Sequence, residues 1–169
     1  IAVAAVGGIT AQMAPAHIAI PDQIIDYSHG RKHTFFDDET DPLTHIDFTF
    51  PYCEELRQFL IRAAKTARIG VADRGTYAAT QGPRFESIAE IRRLEKDGAD
   101  IVGMTGMPET SLARELGLCY ASISVIANPA AGKAEGTISL ASIEKTLESG
   151  MEKVRTLLEH VIPMLVTRL

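Results

Sequence analysis

The chain has 169 residues, enough for one domain with a substantial buried core. Hydrophobic residues make up 46% of it, and the net charge of -5 argues against a nucleic-acid or anionic-membrane surface. Its two cysteines, Cys53 and Cys119, form no disulfide framework, so we interpret both as buried thiols of a single-domain, cytoplasmic protein over residues 1–169.

The first apolar segment, residues 1–6, is rich in Ala and Val and ends at Gly7 and Gly8. This pattern is typical of a buried strand that leads into a tight loop, where glycine lets backbone amides approach a ligand; a plain turn is the simpler alternative. The run is too short and lacks the basic flank for a membrane span or signal peptide. Residues 17–27 alternate like a strand that Pro21 bends or confines to a sheet edge.

Residues 28–50 have no regular pattern, and loops of this length in compact domains are usually functional or disordered. The segment contains three histidines and three aspartates: His29, His33, His45, Asp37, Asp38 and Asp41. Their spacing matches no recurrent ligand motif, so solvated loop residues explain them better than a metal site, and we predict no metal. An amphipathic helix over residues 51–68 follows, with no chemistry of its own.

The central unit consists of a strand over residues 76–81, a helix over 86–96 and a second strand over 99–103. Because the connection is a helix, the two strands should be parallel, with their ends at one edge of the sheet, where open α/β folds bind ligands. Phe85 and Glu86 follow the first strand, and Met104 and Thr105 follow the second. These groups suit a ligand with a flat polar ring and an anionic or sugar part.

The last third contains a helix over residues 108–116, an apolar strand over 118–126, an Ala/Gly-rich loop and a closing helix over 139–165. Asn128 ends the strand, and taken alone it is more typical of a turn residue before Pro129 than of a ligand contact. The alternation of strands and helices predicts an α/β fold with a mainly parallel twisted sheet flanked by helices.

Two motifs, GTYAATQGPRFES and GADIVGMTGMPE, resemble the trimeric purine nucleoside phosphorylase and 5'-methylthioadenosine phosphorylase family, in particular its 5'-methylthioinosine phosphorylases. The family elements GTY, GP, FE, GAD, GM and PE occur in the same order and spacing, and AAVGGI, SISVIAN and the last helix extend the resemblance over nearly the whole chain. The resemblance implies a homotrimeric transferase of purine salvage. It would use inorganic phosphate as co-substrate and no metal or organic cofactor.

The chemistry of a purine leaving group gives two residues catalytic roles. An asparagine can accept a hydrogen bond from N7-H and donate to a 6-oxygen, and a carboxylate can accept from N1-H, whereas adenine would prefer a carboxylate at the asparagine's position. Asn128 and Glu86 stand where the 6-oxopurine enzymes of the family have these residues. The resemblance further implies that Phe85 stacks on the base, Val102 lies behind it, Met104 lines the ribose, and the Ala5 amide and Thr105 hydroxyl bind phosphate.

The substrate's 5' end is predicted from the last helix. Leu140 falls where relatives that process ordinary inosine have a histidine, and Ile143 lies one turn later on the same face. Because a leucine cannot pair with a buried hydroxyl, the pocket should prefer an apolar 5' group, which points to 5'-methylthioinosine. His45, from a neighbouring subunit, resembles the histidine that relatives place beside the 5' substituent.

Two alternatives stay open, a 5'-methylthioadenosine phosphorylase and a non-catalytic purine-binding domain. The family's phosphate loop, its arginine clamp and a ribose-contacting His and Tyr precede the AAVGGI strand in relatives. We therefore expect the chain to be incomplete at its N-terminus, and residues 1–169 alone to show little turnover.

Overall fold

A computed structural model describes residues 1–37 and 44–166. The strands are β1 (Ala2–Gly8), β2 (Ile18–Ala19), β3 (Gln23–Asp26), β4 (Val71–Ala72), β5 (Thr76–Ala79), β6 (Ile101–Gly103) and β7 (Ser122–Pro129). The helices are α1 (Glu54–Thr66), α2 (Ile88–Lys96), α3 (Glu109–Glu115) and α4 (Leu140–Val166). The strands form one sheet in the order β3-β5-β6-β1-β7-β2-β4.

The prediction of an α/β fold with a mainly parallel sheet is confirmed. Within the described residues, β1 pairs with β7, β2 with β4, β3 with β5 and β5 with β6 in parallel. The β1–β6 and β2–β7 pairings are antiparallel. Because β1 is antiparallel to β6, the middle of β1 lies beside the carboxyl end of β6. A site at the carboxyl end of β6 is therefore lined by the middle of β1 as well.

The segment predicted as one bent strand over residues 17–27 is two strands in different parts of the sheet. β2 pairs with β4 and β7, whereas β3 lies at the far edge beside β5. Pro21 separates them, and because it has no N–H it cannot continue a ladder. Its carbonyl instead accepts a hydrogen bond from the buried Arg57 Nε at 2.9 Å.

The main core lies between the sheet and the helix pair α1 and α4. Leu60, Val125, Val154 and Leu157 are fully buried there, as their spacing on the two helices and on β7 requires. Gly150 allows α4 to approach β7 closely, because a Cβ at this position would come within 2.3 Å of the Val125 side chain. Although α4 has 27 residues, no described helix is long and apolar enough to cross a bilayer.

The interpretation of the cysteines as buried thiols is wrong. Cys53 and Cys119 form a disulfide with a Cα–Cα distance of 5.0 Å, and Cys119 is exposed. Cys53 precedes α1, and its N–H donates to the Tyr120 carbonyl at 2.8 Å, so the helix start is held beside the segment that leads into β7. The sequence separation of 66 residues hid this proximity. The argument for a reducing compartment from unpaired cysteines therefore fails.

Helix α2 begins two residues later than predicted. Its N-cap is Ser87, whose hydroxyl accepts from the Glu90 N–H at 3.2 Å while the Ser87 N–H donates to the Glu90 carboxylate at 2.7 Å. This reciprocal capping box satisfies two backbone donors at the helix start. Glu86 consequently lies before the helix and outside its first turn, so its carboxylate is directed by the preceding loop.

Candidate active site

A cavity of about 350 Å³ lies where the middle of β1, the end of β6, the end of β7 and the start of α4 meet. The predicted site residues, except His45, all line it: Ala5, Phe85, Glu86, Val102, Met104, Thr105, Asn128, Leu140 and Ile143. A neighbouring cavity of about 540 Å³ beneath the loop after β7 shares Phe85, Glu86 and Asn128 with it. The two together offer room for a ligand the size of a nucleoside.

Gly7 of β1 lines the cavity, and Gly8 follows it at the end of the strand. Gly7 faces Val102 across the β1–β6 pairing, and a Cβ at Gly7 would come within 3.2 Å of the Val102 side chain. At Gly8 a Cβ would come within 1.9 Å of the Met13 carbonyl oxygen, which no residue with a side chain could tolerate. Both glycines belong to β1, so the strand continues further than the sequence indicated.

Glu86 is oriented by a threonine that the sequence analysis did not single out. The Thr80 hydroxyl donates to the Glu86 carboxylate at 2.6 Å and lies 3.2 Å from the Gly103 carbonyl. Thr80 directly follows β5, so the end of the strand holds the carboxylate at the cavity wall. Phe85, beside it, is 42% exposed, and its ring is available to a flat ligand.

Asn128 lies near the end of β7, opposite Gly7 of β1. Its Nδ2 donates to the Pro129 carbonyl at 2.7 Å, which fixes the plane of the amide. That bond uses one amide hydrogen. The second hydrogen and Oδ1 have no hydrogen-bond partner within the described ranges, so the side chain can donate to and accept from a ligand.

Thr105 is exposed at the turn after β6, and its hydroxyl lies 3.2 Å from the hydroxyl of Tyr77. Tyr77 is 1% exposed, and burial raises the pKa of its phenol, which therefore stays protonated at neutral pH. Gly103 makes room for it, because a Cβ there would come within 2.2 Å of the Tyr77 oxygen. Sequence reasoning missed Tyr77 as a site residue, although it is the tyrosine of the GTY motif.

The end of the cavity near α4 is aliphatic. Leu140, at the first position of α4, is 66% exposed, and Ile143 and Ile138 are half-buried beside it. His45 is exposed and does not line the cavity of its own chain.

The histidine- and aspartate-rich loop shows no metal centre in its described part. His33 pairs with Asp26 at 3.5 Å, and the described residues contain no group of three or more His, Cys, Asp or Glu that could hold a metal ion. Asp38 and Asp41, which the sequence analysis named, lie outside the described residues.

Comparison with known proteins gives one consistent family. The family model of the Phosphorylase superfamily matches residues 1–163. A Pseudomonas syringae pv. tomato protein named "Probable S-methyl-5'-thioinosine phosphorylase" is 52% identical over 162 residues, which are 96% of this chain and 66% of that protein. The 6-oxopurine nucleoside phosphorylase of Pyrococcus furiosus is 41% identical over 170 residues, covering 98% of this chain and 64% of that protein.

Solved structures agree with these matches. The methylthioadenosine phosphorylase from Schistosoma mansoni, in complex with adenine, superposes with a TM-score of 0.92 at 29% identity. The superposition covers 98% of this chain and 64% of that one. The chain thus spans just under two thirds of the length of the relatives it matches.

Proposed function

We propose that this chain, which belongs to the Phosphorylase superfamily, forms the base- and sugar-binding part of an enzyme that cleaves 6-oxopurine nucleosides with inorganic phosphate. The products would be the free purine and a sugar 1-phosphate. One observation carries the proposal. Asn128 and Glu86, an amide and a carboxylate suited to a 6-oxopurine, line the same cavity beside the exposed ring of Phe85.

The hydrogen-bonding capacity of these two side chains favours hypoxanthine or guanine over adenine. Oδ1 of Asn128 would accept from N7-H, its remaining amide hydrogen would donate to the 6-oxygen, and Glu86 would accept from N1-H. Adenine offers a 6-amino donor and a bare N1 lone pair instead. Each buried mismatch costs about 1 to 3 kcal/mol, so two of them are enough to determine base specificity.

Asn128 and Glu86 would also be the catalytic groups. As the glycosidic bond breaks, negative charge develops on the purine, and hydrogen bonds to the proton arriving at N7 stabilise the transition state more than the substrate. Phe85 would stack on the base, with Val102 behind it and Met104 against the ribose. The Ala5 amide and the Thr105 hydroxyl would bind phosphate, and no metal or organic cofactor is required.

The aliphatic end of the cavity suits an apolar 5' substituent. Leu140 and Ile143 offer no partner to a hydroxyl, and once a neighbouring subunit covers the exposed Leu140, an unpaired hydroxyl there would cost about 1 to 3 kcal/mol. A methylthio group avoids that cost. The name of the Pseudomonas relative agrees with this reading, and we therefore propose 5'-methylthioinosine as the preferred substrate.

We also propose a homotrimer that serves purine salvage. In a trimer, the exposed His45 of one subunit would reach the 5' end of the neighbouring subunit's site. Light scattering of the protein as its gene encodes it should give three times the subunit mass. A monomer that cleaves nucleosides at full rate would contradict this part of the proposal.

The deciding experiment measures purine release by the protein as its gene encodes it, with and without phosphate. We expect release only with phosphate, and a kcat/KM for 5'-methylthioinosine about tenfold above that for inosine. Leu140→His should remove that preference, and Leu116→His, at an exposed leucine outside the cavity, should not.

Each other outcome identifies an alternative. Equal release without phosphate would indicate a hydrolase, and faster cleavage of 5'-methylthioadenosine would indicate an adenine-directed enzyme. Binding of hypoxanthine without turnover of any nucleoside would indicate a non-catalytic purine-binding protein.

A further inference from the structure

Arg31 joins two loops that are distant in sequence. It lies in the segment after β3, and its guanidinium donates to the carbonyls of Thr80 at 3.2 Å, Gln81 at 3.1 Å and Met104 at 3.0 Å. It also donates to the carbonyl of Met107. Thr80 and Gln81 follow β5, and the two methionines follow β6, so one side chain connects the ends of two adjacent parallel strands.

These loops carry the two halves of the candidate site. The loop after β5 leads to Phe85 and Glu86, and the turn after β6 presents Met104 and Thr105. The loops also touch directly, because a Cβ at Gly82 would come within 2.5 Å of the Met104 sulfur. The distance between the base-binding and the phosphate-binding groups therefore depends on how these loops are held together.

A guanidinium is suited to this task. Carbonyls at the ends of neighbouring parallel strands lose their ladder partners, and unpaired carbonyls in a partly buried place destabilise the structure. Nη2 lies within 3.2 Å of the carbonyls of Thr80, Gln81 and Met104, so its two hydrogens are shared among three acceptors, and Nη1 donates to the carbonyl of Met107. The planar guanidinium holds both nitrogens in place at once, whereas a lysine has one donor nitrogen and could occupy only one of the two positions. Arg31 does not line the cavity, and both of its terminal nitrogens donate to carbonyls, so it is poorly placed to bind phosphate itself.

We infer that Arg31 is a positioning residue, which sets the spacing between the base-binding and the phosphate-binding loops by donating to carbonyls of both. This inference rests on the proposed function. Arg31→Lys keeps the charge but not the planar donor set, and Arg31→Ala removes both. A displacement of about 1 Å between reacting groups costs about 100-fold in rate. We therefore expect kcat/KM to fall about tenfold in Arg31→Lys and about 100-fold in Arg31→Ala.

A positioning role predicts that kcat/KM falls for the nucleoside and for phosphate together. Varying the nucleoside at saturating phosphate, and then phosphate at saturating nucleoside, should show a loss of kcat/KM for each. Guanidinium ion at millimolar concentration should restore part of the rate of Arg31→Ala and none of the rate of Arg31→Lys. Arg155→Lys and Arg155→Ala, at an exposed arginine of α4, are the matched controls.

Two controls distinguish a failure of this inference from an unfolded variant and from a failure of the proposed function. Thermal unfolding of each variant shows whether it is folded, and if Arg31→Ala is not, Arg31→Lys decides alone. Rates within twofold of wild type, or a loss for one substrate only, would overturn the inference. If the wild type shows no phosphorolysis, the proposed function fails. Arg31 is then tested by hypoxanthine affinity, which should weaken about tenfold in Arg31→Lys if the inference holds.

Discussion

The two sides of β7 are stabilised in different ways. On the side of α1 and α4, apolar side chains such as Val125 and Leu157 are completely buried. A disulfide there joins the residue before α1 to the segment that precedes β7. At the cavity, Thr105 is exposed and Asn128 half-buried, and the geometry depends on individual hydrogen bonds. Apolar packing is non-directional, whereas hydrogen bonds set angles and distances. Changes on the first side should therefore alter stability, and changes on the second should alter activity.

The largest expected effect tests the packed side. Replacing Cys53 and Cys119 together by alanine should lower the free energy of unfolding by roughly 4 kcal/mol, because the bridge closes a loop of 66 residues. The preference between inosine and adenosine should stay unchanged. Denaturant unfolding measures the first quantity, and wild type unfolded in reductant should match the variant. Equal stability of the oxidised wild type and the variant would refute the bridge.

The next effect tests the cavity side. Asn128→Asp exchanges a donor for an acceptor opposite the 6-substituent of the base, so the ratio of kcat/KM for inosine to that for adenosine should fall about 100-fold. The melting temperature should change little. Ser149→Asp, which adds the same charge at an exposed position of α4, is the control. An unchanged ratio would show that Asn128 does not contact the purine.

A smaller effect concerns Tyr77, which is buried like the core but hydrogen-bonded like the site. Tyr77→Phe removes only the hydroxyl beside Thr105, so kcat/KM for phosphate should fall about tenfold while the nucleoside KM changes little. Tyr27→Phe removes a hydroxyl that donates to Asp97 at 2.7 Å and makes no contact with Thr105, and it is the matched control. If both variants bind phosphate like wild type, Tyr77 has only a packing role.

The smallest effect concerns the start of α2. Arg84 and, next, the Ser87 N–H lower the pKa of Glu90 from its usual 4.5 to about 2. A carboxyl group with a lowered folded-state pKa adds stability above its unfolded pKa and loses it as the pH falls toward the folded value. The contribution of Glu90 should thus disappear between about pH 4.5 and pH 2. Unfolding of Glu90→Gln should depend less on pH in this window than unfolding of wild type. Glu148→Gln, at an exposed carboxylate of α4, is the control, and equal slopes for wild type and Glu90→Gln would contradict the prediction.

Local patterns were sufficient for most elements and for the cavity residues that follow β5 and β6, whereas the family resemblance supplied Ala5, Val102, Leu140 and Ile143. Hydrophobic periodicity marked α1, α4 and β7, and the residues after β5 and β6 do lie at one edge of the sheet, as the strand-helix-strand unit predicts. The prediction that Asn128 and Glu86 bind a 6-oxopurine needed no tertiary structure, because the hydrogen-bond donors and acceptors of a side chain are known from its residue type. Their roles remain proposals.

Contacts between residues distant in sequence could not be predicted from the sequence and are seen only in the tertiary structure. The separation of β2 from β3, the disulfide and the hydrogen bond between Tyr77 and Thr105 each depend on segments that no local pattern connects. Arg31 is the clearest case, since it lies 73 residues from Met104 in a segment without periodicity. Sequence alone determined which side chains could bind a purine. The tertiary structure decided which of the other residues hold them in place, because a hydrogen bond between distant residues forms only after the strands between them have been arranged in a sheet.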